Sequence, residues 1–201
     1  MLGFADDLAR ICADQGLRGA TYVGHSMSGM VGMLAAAADP GLFSRLVVIG
    51  TSACYLDDPT TGYIGGRTRE EVDTMLAAVA SDFALWSGGF APQVMGNPER
   101  PEFSTEFAKS LRRYPPQVAL SILRTAYTSD YRDVVPRVSP PTLVLQARGD
   151  TAVPDAAATW LADALPDGRL IHLTAQGHFP HVVDPDEVCA AIDAFIEETV
   201  P

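Results

Sequence analysis

The chain has 201 residues, 47% of them hydrophobic, enough for one packed domain. Its 14 Lys and Arg against 25 Asp and Glu leave a net charge of −11, and the basic residues are scattered, which argues against a nucleic-acid surface. The N-terminus is acidic and amphipathic, unlike a signal peptide, and no apolar run reaches the ~18 residues of a membrane span.

Residues 2–15 read as an amphipathic helix with Phe4, Leu8, Ile11 and Cys12 on one face. A strand is predicted at 21–25 and a helix at 28–38, ended by Asp39-Pro40-Gly41. Within 45–50, Leu46-Val47-Val48-Ile49 is a continuous apolar run, the pattern of a parallel strand buried on both faces. From Tyr55 to Val138 strand signals vanish, and helical patterns are predicted at 69–87, 104–113, 116–128 and 131–137. Gly88-Gly89, Asn97-Pro98 and Pro115-Pro116 separate them. A buried strand follows at 142–146, a helix at 155–165, a strand at 170–173 and a final amphipathic helix at 185–199. The order βαβ, helical insert, βαβα predicts an α/β protein with a parallel sheet. The three cysteines, Cys12, Cys54 and Cys189, lack disulfide or metal-ligand spacing. Reduced, core-filling thiols in a cytoplasmic protein are expected, with no metal and no cofactor.

Val23-Gly24-His25-Ser26-Met27-Ser28-Gly29 lies between the first strand and the second helix. Gly-x-Ser-x-small at that junction is the pattern of a nucleophile elbow, where a serine sits on a strained turn. Bulk at Gly24 or Ser28 is expected to collide with the strand and helix. A strand–helix junction with an N-capping serine is the competing reading. A serine hydroxyl needs a base, and the base needs an orienting acid. Among four histidines, His178 in Gln176-Gly177-His178-Phe179-Pro180-His181 follows the last strand, where catalytic groups of open α/β sheets gather. It is assigned as the base, with His181 in a supporting role. His25 is expected to point away from the serine and pack beneath the turn, and His172 to be structural. Asp150 follows the strand at 142–146 and is assigned as the acid. Its competitors Asp155, Asp184 and Asp186 read as helix N-termini. The chain order Ser26, Asp150, His178 is that of α/β-hydrolases.

Gly24-His25-Ser26-Met27-Ser28-Gly29-Met30-Val31-Gly32, Cys54-Tyr55-Leu56-Asp57-Asp58-Pro59 and Gly177-His178-Phe179-Pro180-His181 resemble one α/β-hydrolase subfamily. It contains the bacterial RsbQ-type stress-response hydrolases and the plant strigolactone and karrikin receptors. The segment from Phe83 to Pro92 resembles the lid of that subfamily. The resemblance implies a triad of Ser26, Asp150 and His178. It divides the chain into a core at 1–54, a four-helix lid at 55–138 and returning core at 139–201. Members carry roughly seventy further residues ahead of the position of Met1, including a loop that supplies one of two oxyanion-hole N–H groups. The expectation is therefore a truncated α/β-hydrolase fold with about four parallel strands, in which Met27 N–H is the remaining donor. The implied function is hydrolysis of a small hydrophobic ester or lactone, linked to stress signalling through a PAS-domain phosphatase partner. A ligand-binding signalling module with little turnover, or an inactive fragment, are the alternatives. Phe83, Trp86, Phe90, Ile122 and Tyr127, with Met27, are the candidates to line an apolar pocket, each with packing between lid helices as its competing reading.

Overall fold

The computed structural model describes residues 1–199. Helix α1 (Leu2–Asp14) leads into β1 (Ala20–His25), α2 (Met27–Ala38) and β2 (Phe43–Ile49). Four helices follow, α3 (Arg69–Ser81), α4 (Phe83–Met95), α5 (Pro101–Leu111) and α6 (Pro116–Thr128). The chain then returns through β3 (Thr142–Arg148), α7 (Asp155–Ala164), β4 (Gly168–Gln176), the short α8 (Pro180–Val183) and α9 (Pro185–Glu198). The four strands form one parallel sheet in the order β1-β2-β3-β4.

The apolar run in β2 explains how the sheet is covered on both faces. Alternate side chains of a strand point to opposite sides. Leu46 and Val48, with Val144 of β3, join a core built with α1, α2 and α7. Val47 and Ile49, with Leu143 and Leu145, join a second core against Phe195 and Val188 of α9. Val47, Val48, Leu143 and Leu145 are fully buried. Each such side chain contributes about 1.5–3 kcal/mol of transfer free energy. That burial fixes the sheet, and so fixes where its carboxyl ends lie.

The helical segment departs from the sequence reading in three places. The pattern at 69–87 is two helices, because Asp82 (φ −149°, ψ 92°) ends α3 and its carboxylate caps α4 by accepting from Leu85 N at 2.9 Å. Gly88-Gly89 does not separate helices but lies inside α4. There the missing side chain at Gly88 admits Arg112, which donates to Ser87 Oγ (3.0 Å) and to the Ala84 carbonyl (2.9 Å). Residues 131–137 hold only a three-residue 3₁₀ turn, Val135–Arg137. The backbone before it is tied instead to the segment after β2, through Tyr131 N to Ala53 O (3.0 Å) and a Cys54–Asp130 bridge. Cys12 and Cys54 are buried, whereas Cys189 is exposed on α9 and fills no core.

Candidate active site

Ser26 has φ 54° and ψ −123°, the only positive φ outside glycine among the described residues. A side chain in that region costs of order 1–3 kcal/mol and persists only where its surroundings enforce it. The enforcement is local. Gly24 packs so closely on α2 that a Cβ there would lie 2.7 Å from Gly29 Cα. A Cβ at Gly29 would overlap the Thr51 hydroxyl, and Thr51 Oγ1 donates to the Ser26 carbonyl at 3.0 Å. The steric demand falls on Gly24 and Gly29. Ser28 is exposed, and its hydroxyl instead bonds back to His25, accepting from N (2.9 Å) and donating to O (2.8 Å).

The three strand ends bring Ser26, His178 and Asp150 together. Ser26 Oγ lies 2.9 Å from His178 Nε2, and His178 Nδ1 lies 2.8 Å from Asp150 Oδ2. A carboxylate only accepts, so Nδ1 carries the ring proton and Nε2 presents its lone pair to the serine hydroxyl. The other carboxylate oxygen of Asp150 accepts from Ala152 N (2.8 Å) and Val153 N (3.0 Å). The Asp150 side chain is 1% exposed and that of His178 7%. Gly50 (φ 54°) makes room for the pair, since a Cβ there would stand 3.1 Å from His178 Nδ1 and 3.2 Å from Asp150 Oδ2. Asp155 stands in the first turn of α7, Asp186 in that of α9, and Asp184 caps α9 through Glu187 N (3.1 Å).

The remaining histidines divide. His25 Nε2 is 2.7 Å from the His178 carbonyl oxygen, so that nitrogen carries the proton and donates. Burial, then the neighbouring His178 and His181, push the His25 pKa down to about 3, which keeps the ring neutral. Its ring centroid lies 4.7 Å from that of His178 and 4.6 Å from that of His181. His181 titrates below its ordinary value, chiefly through burial. His172 is exposed on β4, not packed within it.

The loop carrying His178 is held from the helical segment and from the end of β3. His178 N donates to the Val94 carbonyl (2.8 Å), Gly177 N to Arg148 O (2.9 Å), and Asn97 Nδ2 to both Met95 O (2.6 Å) and Gln176 O (2.9 Å). Thr151, next to Asp150, donates to Gln93 O at 3.1 Å. The C-terminal end of α4 therefore braces the loops after β3 and β4 together. These bonds leave no local pattern in the sequence, since they join backbone groups with one amide and one hydroxyl.

A cleft of about 660 Å³ lies between α3 and α4, lined by Val72, Met75, Trp86, Phe90 and Tyr127 together with Arg67, Glu70 and Glu71. Phe83 and Ile122 are not among its lining residues. Phe83 is buried against Val79 and Ala119 in a helix–helix cluster. Met27 packs against the cluster of Tyr55, Val72 and Tyr127. Tyr127 also packs at a tilt against Tyr55 with centroids 4.6 Å apart, and the Tyr55 hydroxyl reaches to 3.4 Å from Ser26 Oγ. The cleft wall thus connects to the serine through two buried tyrosines.

Over residues 1–185 the sequence matches the family described as alpha/beta hydrolase fold. The chain belongs to the α/β-hydrolase family. This α/β-hydrolase is 35% identical over 187 residues to the Karrikin insensitive 2 receptor CA of Petunia hybrida, covering 92% of the chain and 68% of that relative. It is 33% identical over 199 residues to the Strigolactone esterase D14 of Arabidopsis thaliana, covering 98% and 72%. A solved hydrolase from Oleispira antarctica superposes with a TM-score of 0.91 at 25% identity, over 96% of this chain and 70% of that one. Among the described residues no helix is long and apolar enough to cross a membrane.

Proposed function

We propose that this α/β-hydrolase cleaves small apolar esters or lactones with Ser26 as nucleophile, His178 as general base and Asp150 as the group that orients it. The observation that carries the reading is the unbroken chain Ser26 Oγ, His178 Nε2, His178 Nδ1, Asp150 Oδ2, with links of 2.9 and 2.8 Å. In acylation the serine proton passes to Nε2, the Oγ–carbon bond forms, and the carbonyl π pair moves onto its oxygen. That oxygen is stabilised by Met27 N–H at the start of α2, where the helix N-terminus favours negative charge. Collapse breaks the ester C–O bond, and the departing oxygen takes the proton from His178. A water then repeats the sequence on the acyl-enzyme.

Residues 55–138 act as the lid, and the cleft between α3 and α4 takes the substrate's apolar part. Trp86, Phe90 and Tyr127 supply its aromatic wall. In single-turnover assays with a p-nitrophenyl ester, Ser26→Ala is expected to abolish nitrophenol release. Equal residual activity in both proteins removes the assignment.

A second reading is a ligand-binding signalling module, favoured by relatives that are named receptors. In it, slow turnover accompanies a change at the lid that a partner reads, a PAS-domain phosphatase being the candidate from the subfamily resemblance. Ligand-dependent capture of such a partner at sub-stoichiometric turnover supports this reading, and fast turnover without a partner supports the esterase.

A further inference from the structure

Tyr55 belongs to the segment Cys54-Tyr55-Leu56-Asp57-Asp58-Pro59, for which the proton relay just described has no use. Yet its hydroxyl is the other polar group at the nucleophile, 3.4 Å from Ser26 Oγ. The side chain is 3% exposed, held between Tyr127, Val72 and Leu76 and packed against by Met27. Resting on the assignment of Ser26 as nucleophile, we propose that the Tyr55 hydroxyl is a further catalytic group, a hydrogen-bond donor to Ser26 Oγ that acts on the charge developing on that oxygen.

The length of the contact is what makes it useful. O–H···O bonds are ordinarily 2.5–3.0 Å, so at 3.4 Å the resting interaction is weak. As Ser26 Oγ gives its proton to His178 it becomes the anionic acceptor of a charge-assisted bond, which is shorter and roughly twice as strong. An interaction weak in the ground state and strong in the transition state accelerates the chemical step and leaves substrate affinity alone. The same donor serves deacylation, when the carbon–Oγ bond breaks and the electron pair returns to Oγ before His178 delivers the proton. Tyr55 keeps its own proton throughout. Burial, and then the neighbouring Tyr127, push its pKa up from the ordinary phenol value, so the donor form persists across the working range. The arrangement places a donor on the nucleophile's oxygen, separate from the Met27 N–H that faces the carbonyl oxygen.

The test is the rate at which a small fluorophosphonate labels Ser26, followed by intact-protein mass spectrometry, alongside ester hydrolysis. Tyr55→Phe keeps the ring and removes the hydroxyl. It is expected to lower both the labelling rate and kcat about tenfold, with KM and the melting temperature unchanged. Tyr114→Phe, at an exposed tyrosine outside the cleft lining, is expected to label at the wild-type rate. Fluorotyrosine placed at position 55 retains the ring with a stronger donor, and is expected to label at least as fast as wild type. Labelling of Tyr55→Phe at the wild-type rate overturns the proposal, as does a loss confined to KM. So does slow labelling of the folded fluorotyrosine protein. If Ser26→Ala itself is labelled normally, the nucleophile assignment has failed. If Ser26→Ala is silent and Tyr55→Phe is normal, only the role of Tyr55 falls.

Discussion

At the scale of single residues, the site is a set of constraints that hold one strained serine against one oriented imidazole. His25 illustrates how a residue beside Ser26 in sequence supports His178 instead. Its Nε2–H bonds the His178 carbonyl at 2.7 Å, and its ring touches both other site histidines. This has a consequence for stability against pH. The folded pKa of about 3 lies below the ordinary 6.5, so the folded protein binds fewer protons than the unfolded chain between those values. Stability from His25 is therefore complete above about pH 6.5 and is lost as pH falls toward 3, by at most about 1.4 kcal/mol per pH unit. His181, shifted the same way, adds to that slope. Urea titrations at steps between pH 7 and pH 4 are expected to show a shallower decline in His25→Gln than in wild type. Parallel declines in the two proteins contradict the assignment of His25 as a half-buried neutral donor.

At the scale of elements, α4 has two ends with different work. Its start is fixed by the Asp82 cap, and its end grips the loops that carry Asp150 and His178. Gly177 is the tightest point of that grip, with φ 87° and the Met95 carbonyl where a Cβ would stand. Gly177→Ala is expected to cost about 1–3 kcal/mol in equilibrium unfolding and to lower kcat as His178 shifts. Wild-type kcat in a folded Gly177→Ala protein contradicts the claim that α4 positions His178. Asn97→Ala removes two hydrogen bonds from the same junction while leaving the backbone path open. A milder loss of kcat, with a smaller change in stability, is expected there. Helix α5 is the contrasting case. Ala108 is its one buried residue, whereas α3 buries Val72, Leu76 and Val79. Few buried contacts mean low local stability. Hydrogen exchange is expected to release the α5 amides before those of α3, and the reverse order contradicts this account of the packing.

At the scale of the whole molecule, the α/β layering was legible because burial on both faces of β2 and β3 leaves a pattern in the sequence itself. Leu46-Val47-Val48-Ile49 can sit on both cores only as a central strand. Only Asp150 follows a strand of that kind; Ser26 and His178 follow β1 and β4, which are partly exposed, and their places rested on the glycine turns beside them. What the sequence concealed depends on contacts between distant segments. A single Asp82 between two apolar helical patterns does not announce a break, and Gly88-Gly89 reads as a breaker until Arg112 is seen packed against it. Residues 131–137 carry helical periodicity, but a bridge to Cys54 overrides it. Gly50, Thr51 and the Tyr55 hydroxyl are invisible as site residues because nothing in their local pattern points to Ser26. Trp86, Phe90 and Tyr127 face the cleft while Phe83, at the start of α4, is buried against Val79 and Ala119 instead.

The most direct test of the central claim is to map the covalent adduct formed with a fluorophosphonate by peptide mass spectrometry, in wild type and in Ser26→Ala. One adduct per chain on Ser26, absent in the variant and accompanied by loss of ester turnover, is the predicted result. An adduct on another residue, or ester turnover that survives unchanged in Ser26→Ala, contradicts it.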